Sequence, residues 1–246
     1  MKKTGLLLFL ILICSSCNPV PAESNQTDTP LGQVIQTDPP PTMDADQTEV
    51  KLENDDWTNI WIENANKSKK PRILFVGDSI TAGYYPFIQE DLSQEFYLGY
   101  YVTSKFLGNP DYQTELSTIL NRYDFEIINI NNGLHGWDYS IEEYQKGLED
   151  VKRILDNLAP DALIIWCTTT PIRVEENLER LDKLNQEVIL RNQAAFEILG
   201  DNGVKINDLY QELLNHPEYY RDKYHFNSAG KEFQAKLVVE FILAYH

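Results

Sequence analysis

Apolar and polar residues follow two distinct periods along residues 72–246. Short runs of β-branched, aliphatic and aromatic residues end on turn-forming residues, a pattern typical of buried strands. These runs predict strands at 73–76, 100–103, 125–130, 162–166 and 204–206. Between the runs, apolar positions recur every three or four residues, which predicts helices at 86–96, 112–122, 140–158, 177–199 and from 228 onward. Upstream, the four-residue spacing of Trp57 and Trp61 predicts a short helix at the edge of the domain.

Strands that alternate with helices predict a parallel sheet with helices on both faces. With right-handed crossovers, about five such strands form a three-layer α/β/α sandwich. The expected fold class is therefore α/β, in one domain that spans residues 51–246.

The first fifty residues have a different character. Lys2 and Lys3 precede an apolar core at 6–13, too short to span a bilayer as a mature helix. Ser15 and Ser16 then lead to Cys17, in a segment that resembles the lipobox of bacterial lipoproteins, although Cys14 stands where an aliphatic residue is usual. This resemblance implies a signal peptide at 1–16 and a lipid on Cys17. An ordinary secretory signal peptide is the alternative, and in either case the mature protein is expected to be exported.

The segment that follows is rich in Pro, Thr, Asp, Gln and Ser and nearly free of aromatic residues. Such a composition buries too little apolar surface to offset the entropy of ordering, so residues 17–50 are expected to form a disordered tether that starts at the lipidated cysteine. The expected location is the cell envelope, with the lipid as membrane anchor and the outer membrane as one candidate membrane.

The net charge of −17 excludes one class of partner. Nucleic-acid binding needs a basic footprint for phosphate contacts, which a chain this acidic is not expected to provide. With Cys14 removed and Cys17 lipidated, Cys167 would be the single cysteine left, and its apolar surroundings indicate a small buried side chain.

The first candidate catalytic residue lies at the end of the strand predicted at 73–76. Gly77, Asp78 and Ser79 follow that strand, which places the Ser79 hydroxyl at the edge of the sheet where α/β proteins bind ligands. Near the other end of the domain, Asp222 precedes His225 by three residues. A serine, a histidine base and an aspartate that orients the base form a nucleophilic relay.

Together these blocks resemble the SGNH, or GDSL, hydrolase family, in the order of that family and over most of residues 72–246. The resemblance implies a flavodoxin-like fold and a serine esterase with Ser79, His225 and Asp222 as catalytic residues. It also implies an oxyanion hole formed by the Ser79 N–H, a glycine after the second strand and an asparagine after the third. Gly108 fits the glycine.

The third family motif, which follows the strand predicted at 125–130, departs from the family pattern. Asn131-Asn132-Gly133-Leu134 replaces the usual Gly-x-Asn-Asp, so Asn132 is the expected oxyanion amide and Asn131 its alternative. A different assignment would take Gly136 as the glycine of the second family motif and Thr170 as the residue of the third. It leaves the Tyr100–Pro110 segment without a strand role.

Other residues near these blocks are candidates for substrate binding. His135 and Trp137 follow the end of the strand predicted at 125–130. His135 could either bind substrate or close the loop. Arg173 could contact a polar substrate or form a solvated salt bridge. No histidine cluster has the ligand spacing of a metal site, and neither a phosphate-binding loop nor a Gly-x-Ser-x-Gly elbow occurs, so neither metal nor cofactor is expected.

The expected substrate is a small-molecule or glycan ester. Aromatic residues with polar neighbours around the candidate loops favour a carbohydrate O-acetylesterase over a lipase; they are Tyr84, Tyr85, Trp137 and Tyr139. Two alternatives remain open, a lipase or lysophospholipase of the same fold and a catalytically weak glycan-binding protein. The altered third family motif is the only support for the second alternative.

Overall fold

The structure, a computed structural model, describes residues 50–246. The predicted signal peptide, Cys17 and the tether up to residue 49 lie outside the described residues. The strands are β1 (Thr58–Ile62), β2 (Arg72–Gly77), β3 (Tyr97–Thr103), β4 (Ile127–Ile130), β5 (Leu163–Cys167), β6 (Arg173–Val174), β7 (Asn177–Leu181) and β8 (Lys205–Asn207). The helices are α1 (Ser79–Leu92), α2 (Pro110–Arg122), α3 (Ile141–Leu158), α4 (Asn185–Leu199), α5 (Leu209–Leu213) and α6 (Ser228–Tyr245).

The main sheet has the strand order β1-β3-β2-β4-β5-β8. From β3 to β8 all neighbours pair in parallel, and these five strands are the five that the sequence predicts. All residues of β2 and β4 are buried, as expected for central strands of a parallel sheet covered on both faces. The predicted α/β fold with its parallel sheet is confirmed.

Two apolar layers enclose the sheet, and β2 contributes to both. Ile73 and Phe75 point into a layer shared with α1 and α6, whereas Leu74 and Val76 point into a layer shared with α2, α3 and much of α4. Successive side chains of a strand alternate between faces, so one apolar run supplies both layers. The result is the three-layer arrangement that the alternation of elements predicts.

The predicted helix at Trp57 and Trp61 is wrong. Residues 58–62 form β1, which pairs antiparallel with β3 and brings Trp61 opposite Tyr100. The Trp57 N–H donates to Ser104 Oγ at 2.9 Å, which fixes the start of this strand. The main chain of β3 would otherwise leave its hydrogen-bonding groups unpaired along that edge, and β1 satisfies them.

The predicted helix over 177–199 is wrong in its first third. Residues 177–181 instead pair with β6 as a short hairpin, and α4 begins at Asn185. The hairpin lies against the loop that precedes α6, since the Arg173 N–H donates to the carbonyl of Lys223 at 3.0 Å. These contacts, which are distant in sequence, outweigh the local helix-forming tendency of the segment.

Among the helices between residues 50 and 246, none combines the length and the apolar character needed to cross a bilayer.

Candidate active site

Ser79 is the first residue of α1, directly after the turn that leaves β2. Asp78 caps the helix, and its Oδ1 accepts the Ile80 N–H at 2.8 Å. A side chain at Gly77 would come within 2.1 Å of Thr81 Oγ1, so this turn requires glycine. The helix was predicted to begin at Pro86, but Pro86 lies inside it. The Ser79 hydroxyl therefore lies at a helix N-terminus, where the backbone dipoles favour negative charge.

Ser79, His225 and Asp222 form one continuous hydrogen-bonded relay. Ser79 Oγ lies 3.0 Å from His225 Nε2, although the two residues are 146 positions apart in sequence. On the other side of the ring, His225 Nδ1 lies 2.9 Å from Asp222 Oδ1. The structure thus brings together the three residues that the sequence proposes for nucleophile, base and orienter.

Asp222 is held as an anion by its own turn. Its Oδ1 accepts the N–H groups of Tyr224 at 3.0 Å and His225 at 2.8 Å, and Arg221 donates to Oδ2 at 2.9 Å. Partial burial opposes ionisation, but these donors and the His225 ring hold the pKa of Asp222 well below its usual range. The carboxylate is thereby fixed in position and in charge beside the imidazole.

The two candidate oxyanion asparagines have different partners. Asn131 Nδ2 donates to the carbonyl of Cys167 at 2.7 Å and to Thr169 Oγ1 at 3.3 Å, which uses both of its amide hydrogens. Asn132 Nδ2 donates to the carbonyl of Lys105 at 2.9 Å, which leaves one hydrogen for a further acceptor. Of the two side-chain amides, that of Asn132 is the one with an unused hydrogen, and its role as donor to an oxyanion stays a prediction.

Gly108 lies in the loop between β3 and α2, the same loop whose Lys105 carbonyl receives the Asn132 amide. A Cβ at Gly108 would come within 2.5 Å of the Phe106 ring. The Gly108 N–H also lies close to α3, because a Cβ added at Gly147 would be 3.0 Å from that nitrogen. The packing thus requires a residue without a side chain at position 108. The role of its N–H in an oxyanion hole stays a prediction.

His135 and Trp137 have partners within the protein. His135 Nδ1 lies 3.7 Å from Glu53 Oε1, within ion-pair range and beyond hydrogen-bond range. Burial opposes protonation, yet Glu53 and the charge of Asp78 raise the pKa of His135; the same pairing with His135 lowers the pKa of Glu53 against partial burial. Trp137 stacks on the Arg191 guanidinium at 4.5 Å. The contact of both side chains with substrate stays a prediction.

Arg191, like Glu53, is a residue of this region that the sequence reasoning missed. It is 3% exposed, and its guanidinium donates to the carbonyls of Gly133 at 2.9 Å and of His135 and Gly136 at 2.6 Å each. One cation thus holds the loop that follows Asn132. The sequence signal that could have identified Arg191 is its helical spacing from Val188 and Ala195, which places all three on the same buried face of α4.

Two further expectations from the sequence, those for Tyr84 with Tyr85 and for Arg173, are corrected. Tyr84 and Tyr85 do not surround the site; they are 1% and 4% exposed and pack in the core beneath α1, because that helix begins at Ser79. Arg173 forms neither a solvated salt bridge nor an open contact surface. It is buried, and its guanidinium donates to the carbonyl of Leu214 at 2.6 Å and packs against the Tyr220 ring.

Cys167 is buried at the end of β5, as its apolar surroundings indicated. Burial raises the pKa of its thiol to about 12, so the thiol stays protonated near neutral pH. Within residues 50–246, no group of three or more His, Cys, Asp and Glu side chains is arranged to hold a metal ion.

A cleft of about 290 Å³ opens beside the relay. Ser79 and His225 line it, together with the charged side chains of Arg221 and Lys231. The nucleophile and base are therefore accessible from this cleft.

Solved structures of known proteins share this fold. An acetyl xylan esterase superposes with a TM-score of 0.55 at 20% identity, over 70% of this chain and 99% of that one. A lipase/acylhydrolase from Enterococcus faecalis gives 0.53 at 18% identity, over 70% and 95% of the two chains. A GDSL-like lipase from Bacteroides thetaiotaomicron gives 0.54 at 16% identity, over 72% and 90%.

No protein-family model matches the chain, and no curated protein matches its sequence. The structural likenesses show that the chain has the fold of the GDSL-type hydrolases, and the resemblance predicted from sequence is confirmed at the level of the fold.

Replacing Glu53 by Gln tests the ion pair with His135. We expect a lower His135 pKa in Glu53→Gln, because burial alone disfavours the imidazolium. The pair stabilises the fold where both groups are charged, above the unfolded Glu pKa of about 4.3 and below the unfolded His pKa of about 6.5. The difference in free energy of unfolding between wild type and Glu53→Gln should thus be largest at about pH 5.5. It should be lost as pH rises through the folded His135 pKa or falls through the folded Glu53 pKa.

The measurement is an NMR titration of the histidine rings, together with urea unfolding at acidic and alkaline pH. Glu218→Gln is the matched control, since Glu218 pairs with His216 at the surface. The interpretation is wrong if His135 titrates identically in wild type and Glu53→Gln.

Proposed function

We propose that the protein is a serine esterase that hydrolyses carboxylic esters through an acyl-enzyme on Ser79. The observation that carries this proposal is the relay, with Ser79 Oγ at 3.0 Å from His225 Nε2 and His225 Nδ1 at 2.9 Å from Asp222. A serine hydroxyl is a poor nucleophile unless a base accepts its proton during attack. The relay places such a base in hydrogen-bond contact and orients it through its second nitrogen.

In the proposed mechanism, Ser79 Oγ attacks the ester carbonyl carbon while His225 Nε2 takes the hydroxyl proton. Asp222 keeps the imidazole in the required tautomer and stabilises the imidazolium that forms. Collapse of the tetrahedral intermediate breaks the bond to the alcohol oxygen, which receives the proton from His225. Water then attacks the acyl-serine with His225 as base again, which releases the carboxylic acid and restores Ser79.

The negative charge on the intermediate needs donors that are already in place. The proposed donors are the N–H groups of Ser79 and Gly108 and the free amide hydrogen of Asn132. Each such donor contributes about 3–4 kcal/mol to transition-state stabilisation in comparable enzymes. Arg191 and the Tyr144 hydroxyl, which donates to the Asn132 carbonyl at 2.5 Å, support the position of that amide.

For the substrate, we favour an O-acetylated carbohydrate. One structure with the same fold is an acetyl xylan esterase, and the cleft beside Ser79 is lined in part by polar and charged side chains, which suit a hydrophilic alcohol such as a sugar. Because Tyr84 and Tyr85 are core residues, the support from aromatic residues reduces to Trp137 and Tyr139. A lipase is the second candidate, since two structures of the same fold are described as lipases.

For the location, we propose an exported lipoprotein anchored through Cys17 in the cell envelope. The support is the basic and apolar N-terminal segment followed by the lipobox-like residues before Cys17. The acyl-enzyme chemistry does not depend on this anchor.

Acetate release from a panel of acetylated polysaccharides tests the proposed activity. We expect wild type to release acetate and to prefer acetyl over long-chain p-nitrophenyl esters, and Ser79→Ala to lose at least about 10³-fold in kcat because the nucleophile is absent. Ser93→Ala, a change at the C-terminal end of α1, is the control and should keep full activity. A preference for long acyl chains would favour the lipase alternative. Glycan binding by a wild type that lacks esterase activity would overturn the enzyme proposal.

Alanine substitution of the two asparagines separates their roles. Asn132→Ala should lower kcat about 10²- to 10³-fold with little change in KM, because it removes a donor used in the transition state. Asn131→Ala should mainly lower the free energy of unfolding, by about 1–3 kcal/mol, because it leaves the Cys167 carbonyl without its donor. Steady-state kinetics and urea unfolding of both variants provide the check. A larger loss of kcat in folded Asn131→Ala than in Asn132→Ala would assign the oxyanion amide to Asn131 instead.

A further inference from the structure

The cleft beside the relay has an unusual charge for this protein. The chain has a net charge of −17, yet the lining of the cleft includes two cations, Arg221 and Lys231, and no Asp or Glu. The other lining residues are Ser79, Ile80, Ala82, Gly83, His225, Phe226 and Gln234. The lining of the cleft is thus more positive than the protein as a whole.

Lys231 is held in place by its packing. Its side chain lies across the bare backbone of Gly83 in α1, so that a Cβ at Gly83 would be 3.3 Å from Lys231 Cε. Lys231 forms no ion pair with any residue of the described range 50–246, whereas Lys236 on the same helix pairs with Glu240 at 3.8 Å. The ammonium charge of Lys231 therefore has no carboxylate to neutralise it within that range.

Arg221 adds to this charge only in part. Its Nε and Nη2 both donate to Asp222 Oδ2, at 3.2 and 2.9 Å, and its side chain is 60% exposed. Its charge is thus shared with the catalytic carboxylate. Lys231 is the principal cation of the cleft.

The position of the cleft indicates which part of an ester would occupy it. No residue of the loop that carries Asn132 lines the cleft, so the cleft lies apart from the proposed oxyanion amide. In the proposed mechanism, His225 Nε2 returns its proton to the departing alcohol oxygen, which must therefore lie on the His225 side of Ser79. The alcohol part of the substrate would occupy the cleft that His225 and Lys231 line.

We infer that the alcohol part of the substrate carries an anionic group, a carboxylate or a phosphate, which Lys231 binds with help from Arg221. This inference rests on the proposed esterase function and names the substrate class as an acetylated sugar acid or sugar phosphate. A charge-assisted contact of this kind both selects the anionic ester and orients its scissile bond toward Ser79.

The test compares two acetyl esters of the same size, para-acetoxybenzoate and para-acetoxybenzamide, with para-acetoxyphenyl phosphate as a third arm. The measured quantity is the ratio of kcat/KM for the anionic ester to that for the neutral amide. We expect wild type to favour the anion by about tenfold, and Lys231→Met to lower this ratio about tenfold through KM. Raising NaCl from about 0.05 to 0.5 M should also lower the wild-type ratio, because salt screens charges at an open cleft.

Lys236→Met is the matched control, a lysine of the same helix that does not line the cleft, and it should keep the wild-type ratio. Hydrolysis of both esters with equal efficiency, or a ratio unchanged in folded Lys231→Met, would overturn this inference and leave the esterase proposal standing. Absence of hydrolysis of every ester would overturn both. A higher ratio for the phosphate than for the carboxylate would identify phosphate as the preferred anion.

Discussion

The parallel pairing of β2 with both β3 and β4 is the constraint on which the site depends. Parallel neighbours end at the same edge of a sheet, so the segments that follow these three strands must meet there. They are the turn at Ser79, the loop that contains Lys105 and Gly108, and the loop that begins at Asn131. The Asn132–Lys105 hydrogen bond joins the outer two across the end of β2. The geometry of the candidate oxyanion hole is therefore a consequence of strand order.

A second set of contacts positions two loops of the candidate site that the strand pairing does not fix, the loop after Asn132 and the loop that carries Asp222 and His225. Arg191 holds the carbonyls of the loop after Asn132, and Glu53, from the segment upstream of β1, accepts the Gly136 N–H and faces His135. On the opposite side, the β6–β7 hairpin packs against the loop that carries Asp222 and His225. Buried donors of this kind matter because an unsatisfied carbonyl in the interior costs about 1–3 kcal/mol. The loops around the candidate site are thus supported by residues outside the motifs that predict it.

Much of this arrangement could be predicted from the sequence because its signals are local. The five parallel strands are short apolar runs, and the Ser79 and His225 blocks are short motifs at strand and helix boundaries. The errors occurred where distant contacts decide the structure. The segment after Trp57 is a strand because it pairs with the open edge of β3. Residues 177–181 are a strand and not a helix because they pair with β6 in a hairpin that contacts the loop before α6. Arg191 and Glu53 were missed because a polar residue on an apolar helix face, or upstream of the first strand, has no local signal for its partner.

The account depends most on Ser79 as a nucleophile that His225 activates. Mass spectrometry of the intact protein and of its proteolytic peptides, after treatment with diethyl para-nitrophenyl phosphate, measures this directly, because an activated serine displaces nitrophenolate and keeps the diethylphosphoryl group. The account predicts one adduct per chain, on the peptide that contains Ser79, and much slower labelling in His225→Ala. An unlabelled Ser79 in folded wild type, or a Ser79 labelled equally fast without the histidine, would contradict it.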